Sequence, residues 1–282
     1  MNTVLLIITI VCLTMQTVFK KIYNNRSVAD CKYFFSMLLS LGATAFFVFT
    51  SRGLRFSVEV LPYSLMFAVF YGLASVGSFL SIANGPLSIT ALIISYSLMV
   101  PTLYGIIFLN EVPGIGLCVG IVLLILSLFL ISKKSRNAPM TLKWVIYVAL
   151  AFIGNGMCSV VQKMQQNAFD GKFKNEFMII ALVVISLFMG ILTLAKERDK
   201  LTGNVKYGLI CGLSCGFMNG IVNMLVMVLS GSMAISIMFP LISSGDVVLT
   251  YLISTFVYKE KLTIKQFVGF LFGVASVIFL NL

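Results

Sequence analysis

The stretch that decides the fold is SMAISIMFPLISSGDVVLTYLISTFVY, residues Ser232–Tyr258. At a rise of about 1.5 Å per residue, a helix of this length crosses the roughly 30 Å hydrocarbon core of a bilayer. Pro240 and Asp246 nevertheless lie near its middle. A carboxylate at that depth costs roughly 2.5–3.5 kcal/mol on insertion scales unless it faces protein or water. The stretch therefore predicts a membrane-spanning helix with one face turned inward.

The polar residues of this helix share the inward face. Ser236, Ser243, Asp246 and Thr250 follow one another at spacings of 7, 3 and 4 residues, which is the period of one helical face. Pro240 removes a backbone donor beside this face and permits a kink or a break. The pattern indicates one wall of a polar cavity inside a membrane protein.

The composition of the whole chain is typical of a membrane protein with many spans. The 282 residues are 60% hydrophobic and 10% charged, with a formal net charge of +11. A soluble protein of this size would need a far more charged surface. The basic residues lie singly or in pairs between apolar runs, which does not indicate nucleic-acid binding. Because the chain has no histidine and its six cysteines lack metal-ligand spacing, we expect no metal site and no cofactor.

Ten apolar runs of near-spanning length follow one another along the chain. The fold class predicted is an all-α integral membrane protein with ten transmembrane helices. The predicted spans are Asn2–Phe19, Tyr33–Thr50, Leu61–Ala83, Leu87–Leu109, Ile115–Ile131, Trp144–Gln162, Phe177–Ala195, Tyr207–Leu229, Ser232–Tyr258 and Ile264–Leu280.

The two halves of the chain repeat each other. The matching positions are Val18–Ile22 with Val160–Met164, Gly85 with Gly231, Glu111 with Glu260, and Gly120 with Gly269. Because five spans is an odd number, the second copy of a five-span repeat lies upside down in the membrane. We therefore expect a first five-helix repeat over residues 1–132, a basic linker over 133–143, and a second, inverted five-helix repeat over 144–282.

The lysine and arginine residues predict an orientation. Fifteen of them fall on one side of the predicted spans and five on the other. Because short cytoplasmic loops carry the excess of positive charge, the first side is predicted to be cytoplasmic and both termini to lie outside. The predicted localisation is the plasma membrane, with many passes.

Two sets of residues at repeat-related positions carry a family resemblance. Each set combines a proline in one span, a glutamate in the following turn and a glycine in the next span: Pro101, Glu111 and Gly120, then Pro240, Glu260 and Gly269. In this pattern the whole chain resembles the EamA-like ten-helix branch of the drug/metabolite transporter superfamily. The resemblance implies two inverted five-helix bundles around a central cavity. It also implies export or import of small metabolites, amino acids or drug-like compounds.

Two features depart from the family pattern. Members are usually drawn with both termini inside, against the charge count of this chain. The four-helix relatives use a glutamate of the first helix for proton coupling, whereas the first span here carries Gln16 and no acidic residue. The resemblance therefore does not extend to proton antiport carried by that position.

Asp246 is the acidic residue that lies well inside a predicted span, whereas the other acidic residues lie in loops or at helix ends. It could bind a cationic group, carry a coupling proton or help to hold a cation. The alternative interpretation is a structural hydrogen bond or ion pair to a neighbouring helix.

Other polar residues at helical spacing extend the candidate substrate site. They are Gln16, Tyr71, Ser97, Tyr104, Asn155, Gln162, Asn219, Asn223 and Ser243. Asn and Gln side chains are costly in lipid, so their faces are expected to point inward. They line a cavity or form interhelical hydrogen bonds. The tyrosines either present aromatic faces to a cation or pack against neighbours.

Several charged residues and one glycine series have structural interpretations. Glu111 and Glu260 lie in tight turns and are expected to cap the following helix by accepting from its free amides. Lys20 and Lys163 either snorkel to the membrane interface or bind an anionic substrate. Glycines spaced four apart over Gly212–Gly220 predict close helix packing.

The predicted function is a secondary transporter, and an exporter, that moves a small polar or cationic metabolite, amino acid or drug-like solute by alternating access. Pro101 and Pro240 would be hinge points in equivalent spans. The expected partners are the solute, the lipid bilayer and a coupling proton or cation, without nucleic acid, and the oligomeric state is left open.

Two other functions are weighed against transport. One is a lipid-carrier flippase or an accessory membrane scaffold of the same fold. The other is an integral membrane enzyme, which is not expected because one intramembrane acid without histidine leaves little for catalysis. Saturable transport of a soluble solute separates the first prediction from both.

Overall fold

The computed structural model describes residues 2–26, 31–51, 53–55, 57–84, 93–94, 96–131, 141–201, 203, 205–256 and 264–280. Ten α-helices lie within these residues, and no strand does. They are α1 (Asn2–Arg26), α2 (Lys32–Thr50), α3 (Leu61–Asn84), α4 (Met99–Phe108), α5 (Ile115–Ile131), α6 (Leu142–Ala168), α7 (Lys174–Lys196), α8 (Val205–Ser232), α9 (Ile235–Phe256) and α10 (Ile264–Leu280). The prediction of an all-α chain with ten helices is confirmed.

The helices have the length and composition that a bilayer requires. Six of them, α1, α2, α3, α6, α7 and α8, are long and apolar enough to cross a membrane, and α4, α5, α9 and α10 contain shorter apolar segments. Large apolar side chains remain exposed along them, such as Phe49 at 83% and Leu187 at 65%. Such surfaces suit lipid rather than water. The prediction of an integral membrane protein is confirmed.

The helix bounds differ from the predicted spans at several ends. α1 continues to Arg26 and α6 to Ala168, beyond the apolar runs. Hydropathy marks only the part of a helix inside the hydrocarbon core, whereas its hydrogen bonding continues into the headgroup region. Four predicted features lie wholly or partly outside the described residues: the turn at Gly85 and Pro86, the first part of the predicted span Leu87–Leu109, most of the basic linker, and the turn that contains Glu260.

The structure forms two compact units, and each combines segments from both halves of the sequence. The first unit contains Val11–Gly72 and Val161–Gly231. The second unit contains Asn2–Ile10, Leu73–Val160 and Ser232–Leu282. The compact units therefore cut across the two sequence repeats, and the division of the sequence at 1–132 and 144–282 stays a prediction.

In the first unit, α2 and α7 pack as an antiparallel pair. The carboxylate of Glu197, which follows α7, accepts from the main-chain N–H groups of Tyr33 and Phe34 in the first turn of α2, at 3.0 and 2.8 Å. At the opposite end, the Asn175 side chain in the first turn of α7 donates to the Ser51 hydroxyl after α2, at 2.9 Å. Each helix therefore begins where the other ends.

In the second unit, a carboxylate joins α4 and α9 in the same way. Glu111 follows α4, and its Oε1 and Oε2 atoms accept from the main-chain N–H groups of Ile235 and Ser236 at the start of α9, at 3.0 and 2.9 Å. Glu111 does satisfy free helix amides. The prediction that it caps the following helix, α5, is wrong.

Local geometry explains why Glu111 does not cap α5. Asn110 has a left-handed backbone with φ of 54°, a conformation that Asn tolerates. The Glu111 main-chain N–H donates back to the Gly105 carbonyl at 3.1 Å. This turn folds Glu111 against the end of α4, and Gly105 leaves room for its carboxylate. In this position the carboxylate binds the free amides of α9.

A third pair, α5 and α10, is also antiparallel. The Ser276 hydroxyl in the second half of α10 donates to the Gly120 carbonyl in the first half of α5, at 2.7 Å. The pairs α2–α7, α4–α9 and α5–α10 join helices that the sequence repeat makes equivalent. Antiparallel equivalents are what an inverted repeat requires.

A glycine series on α8 allows close packing against α2. A methyl group at Gly212 would lie 2.8 Å from the Leu38 Cβ atom, and one at Gly220 would lie 2.7 Å from the Phe46 ring. A methyl group at Gly216 would collide with the main chain of α2 at Leu39. The prediction of close packing is confirmed.

We expect Glu197→Gln to lower the melting temperature of the purified protein more than Asp199→Asn does. The first change replaces a buried carboxylate that accepts from two helix amides, which costs about 1–2 kcal/mol. Asp199 is exposed, lies two residues away and undergoes the same charge change. Thermal unfolding in detergent measures both, and equal melting temperatures would contradict the cap.

We also expect Gly216→Ala to destabilise the protein by about 1–3 kcal/mol, because the added methyl group pushes α8 away from α2. Gly231→Ala is the matched control on the same helix, since a methyl group there meets no heavy atom within 4 Å. Thermal unfolding of both variants tests the packing. Similar losses in the two variants would show that α8 and α2 are not in close contact at Gly216.

Candidate functional site

Four of the predicted site residues form one hydrogen-bonded chain of side-chain amides in the first unit. Gln162 Nε2 on α6 donates to Asn223 Oδ1 on α8 at 2.7 Å. Asn223 Nδ2 donates to Asn219 Oδ1 at 2.9 Å, and Asn219 Nδ2 donates to Gln16 Oε1 on α1 at 3.2 Å. We name these four residues the amide chain. It joins three helices, as the interpretation of interhelical hydrogen bonds expects.

The direction of the amide chain is fixed by the main chain. Asn223 Nδ2 also donates to the main-chain carbonyl oxygen of Asn219, at 2.9 Å. Because a carbonyl oxygen only accepts, this contact assigns the nitrogen and oxygen of the Asn223 amide. The shared bonds then assign Asn219 and Gln16 in turn. The amide chain therefore ends at Gln16 Nε2, which is a donor.

The end of the amide chain at Gln16 is deeply buried. The Gln16 side chain is 4% exposed, and its Nε2 atom has no hydrogen-bond partner among the residues that the structure describes. The Gln16 main-chain carbonyl accepts from Cys215 Sγ at 3.8 Å. An unpaired buried donor costs about 1–3 kcal/mol. Gln16 Nε2 is therefore a place where an acceptor would be stabilised.

Lys163, next to Gln162, has a role that neither sequence interpretation included. Its ammonium group donates to the main-chain carbonyl of Ser230 in the last turn of α8. A cation at this place offsets the partial negative charge of a helix C-terminus. Lys163 thus stabilises the end of the helix that carries Asn219 and Asn223.

In the second unit, the structure brings Ser97 and Asn155 together. Asn155 Nδ2 on α6 donates to the buried Ser97 hydroxyl at 2.6 Å, in the 3₁₀ turn that precedes α4. A methyl group at Gly156 would lie 2.7 Å from the Ser97 carbonyl oxygen, so glycine allows the approach. The Asn155 side chain remains exposed. This pair joins α6 to the segment before α4.

The two predicted hinge prolines occupy different helix positions. Pro101 lies in the first turn of α4, directly after the 3₁₀ turn, where a missing N–H loses no helical bond. Pro240 lies inside α9 and leaves the Ser236 carbonyl without its helical donor. The Ser244 hydroxyl donates to the Pro240 carbonyl. Of the two prolines, Pro240 therefore removes a hydrogen bond from its helix and Pro101 does not, and the role of both as hinges stays a prediction.

Ser243 and Pro240 line a small pocket within the second unit, together with residues that include Tyr96 and Thr102. The space that water can occupy there is about 10 Å³. This is room for roughly one water molecule. The pocket is therefore too small for a solute in this state.

Asp246 lies on the polar face of α9 and is partly buried. The Thr250 hydroxyl, one turn along the same helix, approaches Asp246 Oδ1 at 3.4 Å. Gly245 beside it contacts the Ile10 side chain of α1. The predicted periodicity of this face is therefore observed, and the role of Asp246 in binding stays a prediction.

The two tyrosines of the predicted site contact aromatic neighbours on their own helices. Tyr71 stacks on Phe67 with ring centroids 5.9 Å apart, and Tyr104 stacks on Phe108 at 5.2 Å. These contacts are the packing that the sequence analysis weighed against cation binding.

Two buried glutamines next to the amide chain were missed by the sequence analysis. Gln165 Nε2 donates to the Lys172 carbonyl at 2.8 Å, and Gln166 Nε2 donates to Gln165 Oε1. They continue the polar face of Gln162 by three and four residues, which is the signal that could have identified them. No cluster of three or more potential metal ligands lies within the described ranges of the chain.

We expect Asn223→Leu to destabilise the purified protein by about 1–3 kcal/mol, because it removes the bonds of the buried Gln162 side chain and the half-buried Asn219 side chain. The double variant Gln162→Met with Asn223→Leu should lose less than the sum of the two single variants, since both partners of one bond are then apolar. Thermal unfolding measures all three. Strictly additive losses would contradict the bond between Gln162 and Asn223.

The comparisons with known proteins agree with this fold. The model of the EamA-like transporter family matches residues 142–282. A solved structure described only as a crystal structure of a protein has a TM-score of 0.79 and 10% sequence identity, covering 99% of this chain and 98% of the other, which shows a shared fold. None of the curated proteins matches the sequence. The chain belongs to the EamA-like transporter family, within the drug/metabolite transporter superfamily, and is a membrane transporter of that type.

Proposed function

We propose that the chain is a secondary transporter that exports a small polar solute, such as an amino acid or a related metabolite, by alternating access. Family membership supports transport in general. The amide chain is the observation that carries the finer statement. It places neutral donors and acceptors from α1, α6 and α8 among helices that expose large apolar side chains.

A polar solute that crosses the membrane needs hydrogen bonds in a dry environment. A solute that leaves water loses hydrogen bonds, and the protein must replace them without holding the solute too tightly to release it. Side-chain amides donate and accept without changing charge. The amide chain of Gln16, Gln162, Asn219 and Asn223 can exchange such bonds with a polar solute when the helices move.

Asp246 and its helix supply the second part of the proposal. Its partly buried carboxylate on α9 suits an ammonium group of the solute or a coupling proton or cation. Pro240 removes a helical hydrogen bond from α9 near this face, and a helix that lacks a bond bends more readily there, whereas Pro101 lies at the junction between the 3₁₀ turn and α4. We propose these two prolines as the hinges of the transport cycle.

We expect the full-length protein in proteoliposomes to give saturable flux of at least one solute from a panel of amino acids, quaternary amines, nucleosides and sugars. Asp246→Asn should lower this flux by about tenfold or more, because a charge-assisted hydrogen bond to the solute or coupling ion is lost. Glu59→Gln, at an exposed position outside α3, is the control with the same charge change.

Equal flux through Asp246→Asn and Glu59→Gln at equal melting temperature would remove Asp246 from the proposed site. Flux that does not saturate with any soluble solute, together with movement of lipid-linked compounds, would instead favour the flippase alternative.

A further inference from the structure

The unpaired nitrogen of Gln16 is a hydrogen-bond donor, so its complement is a hydrogen-bond acceptor. The side-chain oxygens of Gln16, Asn219 and Asn223 each accept a hydrogen bond, from Asn219, Asn223 and Gln162 in turn. The donor Gln16 Nε2 is buried and has no hydrogen-bond partner among the described residues. The donors and acceptors of the amide chain cannot simply be exchanged by flipping the amides. The Asn219 main-chain carbonyl oxygen accepts from Asn223 Nδ2, and a flipped Asn223 would place an oxygen there instead. A hydrogen-bond acceptor would therefore satisfy the Gln16 end of the amide chain.

A positive charge lies beside the same end. Lys20 is four residues after Gln16 on α1, so the two side chains share one helical face. The Lys20 side chain is exposed and lies one helical turn beyond Gln16, whose main-chain carbonyl accepts from the Cys215 thiol. Two buried carboxylates of the first unit, Glu176 and Glu197, accept from main-chain amides elsewhere.

We propose that Gln16 and Lys20 bind the carboxylate of the transported solute, so that the substrates are small organic carboxylates, including zwitterionic amino acids. One neutral donor and one ammonium group match a group with a single negative charge and two acceptor oxygens. A doubly charged phosphate would need further cations. This inference rests on the proposed transport function and names its substrate class.

The burial of Gln16 Nε2 is consistent with a closed state of the transport cycle. In the structure the nitrogen is closed off from solvent, while Lys20 is accessible. A carboxylate is first attracted by Lys20 and reaches Gln16 when α1 and α8 separate during alternating access. The Gln16 donor that was unpaired in the closed state then gains a charged acceptor. The free energy of this hydrogen bond favours the solute-bound state.

The test uses the purified full-length protein and four probes built on one side chain. L-leucine carries both charges, 4-methylpentanoate only the carboxylate, 3-methylbutylamine only the ammonium group, and 4-methylpentanamide neither. The same four forms are made for the alanine and phenylalanine side chains. Ligands that bind the native state raise its melting temperature. We expect shifts with the carboxylate-bearing probes and none with the amines or amides.

The variants assign the binding to the two residues. Gln16→Met keeps the size of the side chain but removes the donor, and Lys20→Gln removes the charge. Each should raise the dissociation constant of the bound carboxylate by about tenfold or more. Gln16→Glu should abolish binding, because it sets one carboxylate against another. Lys206→Gln, an exposed lysine near the start of α8, is the control and should leave binding unchanged.

Several outcomes would overturn the proposal. Shifts with amines or amides only, or unchanged carboxylate affinity in Gln16→Met and Lys20→Gln, would do so. A lower melting temperature of Gln16→Met without ligand, at unchanged affinity, would mean that the nitrogen holds a structural water. If Gln16→Met does not fold, the exposed Lys20→Gln variant decides. Saturable flux of a solute without a carboxylate would overturn this inference alone, whereas no flux of any solute would overturn the transport function as well.

Discussion

A hydrocarbon layer offers no hydrogen-bond partner, and the rest of this structure depends on that constraint. The first amides of each helix and every polar side chain inside the spans must find partners within the protein. Glu197 supplies them for α2, and Glu111 supplies them for α9. In both places the acid follows one helix and binds the start of its sequence-repeat equivalent. The same bonds that satisfy the amides therefore hold equivalent helices antiparallel.

The amide chain answers the same constraint in another way. Gln16, Asn219, Asn223 and Gln162 satisfy one another across three helices and leave a single buried donor without a described partner. A structural network that served stability alone would gain from closing that last bond. A transporter gains from leaving it open, because the free energy is then recovered only when a solute arrives. Under the proposed function, the unpaired Gln16 Nε2 atom therefore matters as much as the paired atoms of the amide chain.

Local sequence patterns predicted much of this structure and part of the site. Apolar runs predicted ten helices, because each span must by itself present apolar side chains to the lipid. The series from Gly212 to Gly220 predicted close packing, and spacing of four placed Asn219 and Asn223 on one face. The position of Glu111 in a tight turn also favoured a cap on the following helix, and that prediction was wrong.

The sequence by itself determined which segments are helical, which faces are polar and which family the pattern resembles, because these depend on residues a few positions apart. Only the tertiary structure decided which polar groups meet. Glu111 caps residues 124 and 125 positions away, and Asn219 reaches Gln16 over 203 positions. Such contacts depend on how the helices pack, and many partners of similar polarity were available along the chain. The direction of the amide chain depended on one main-chain carbonyl, which no side-chain pattern records.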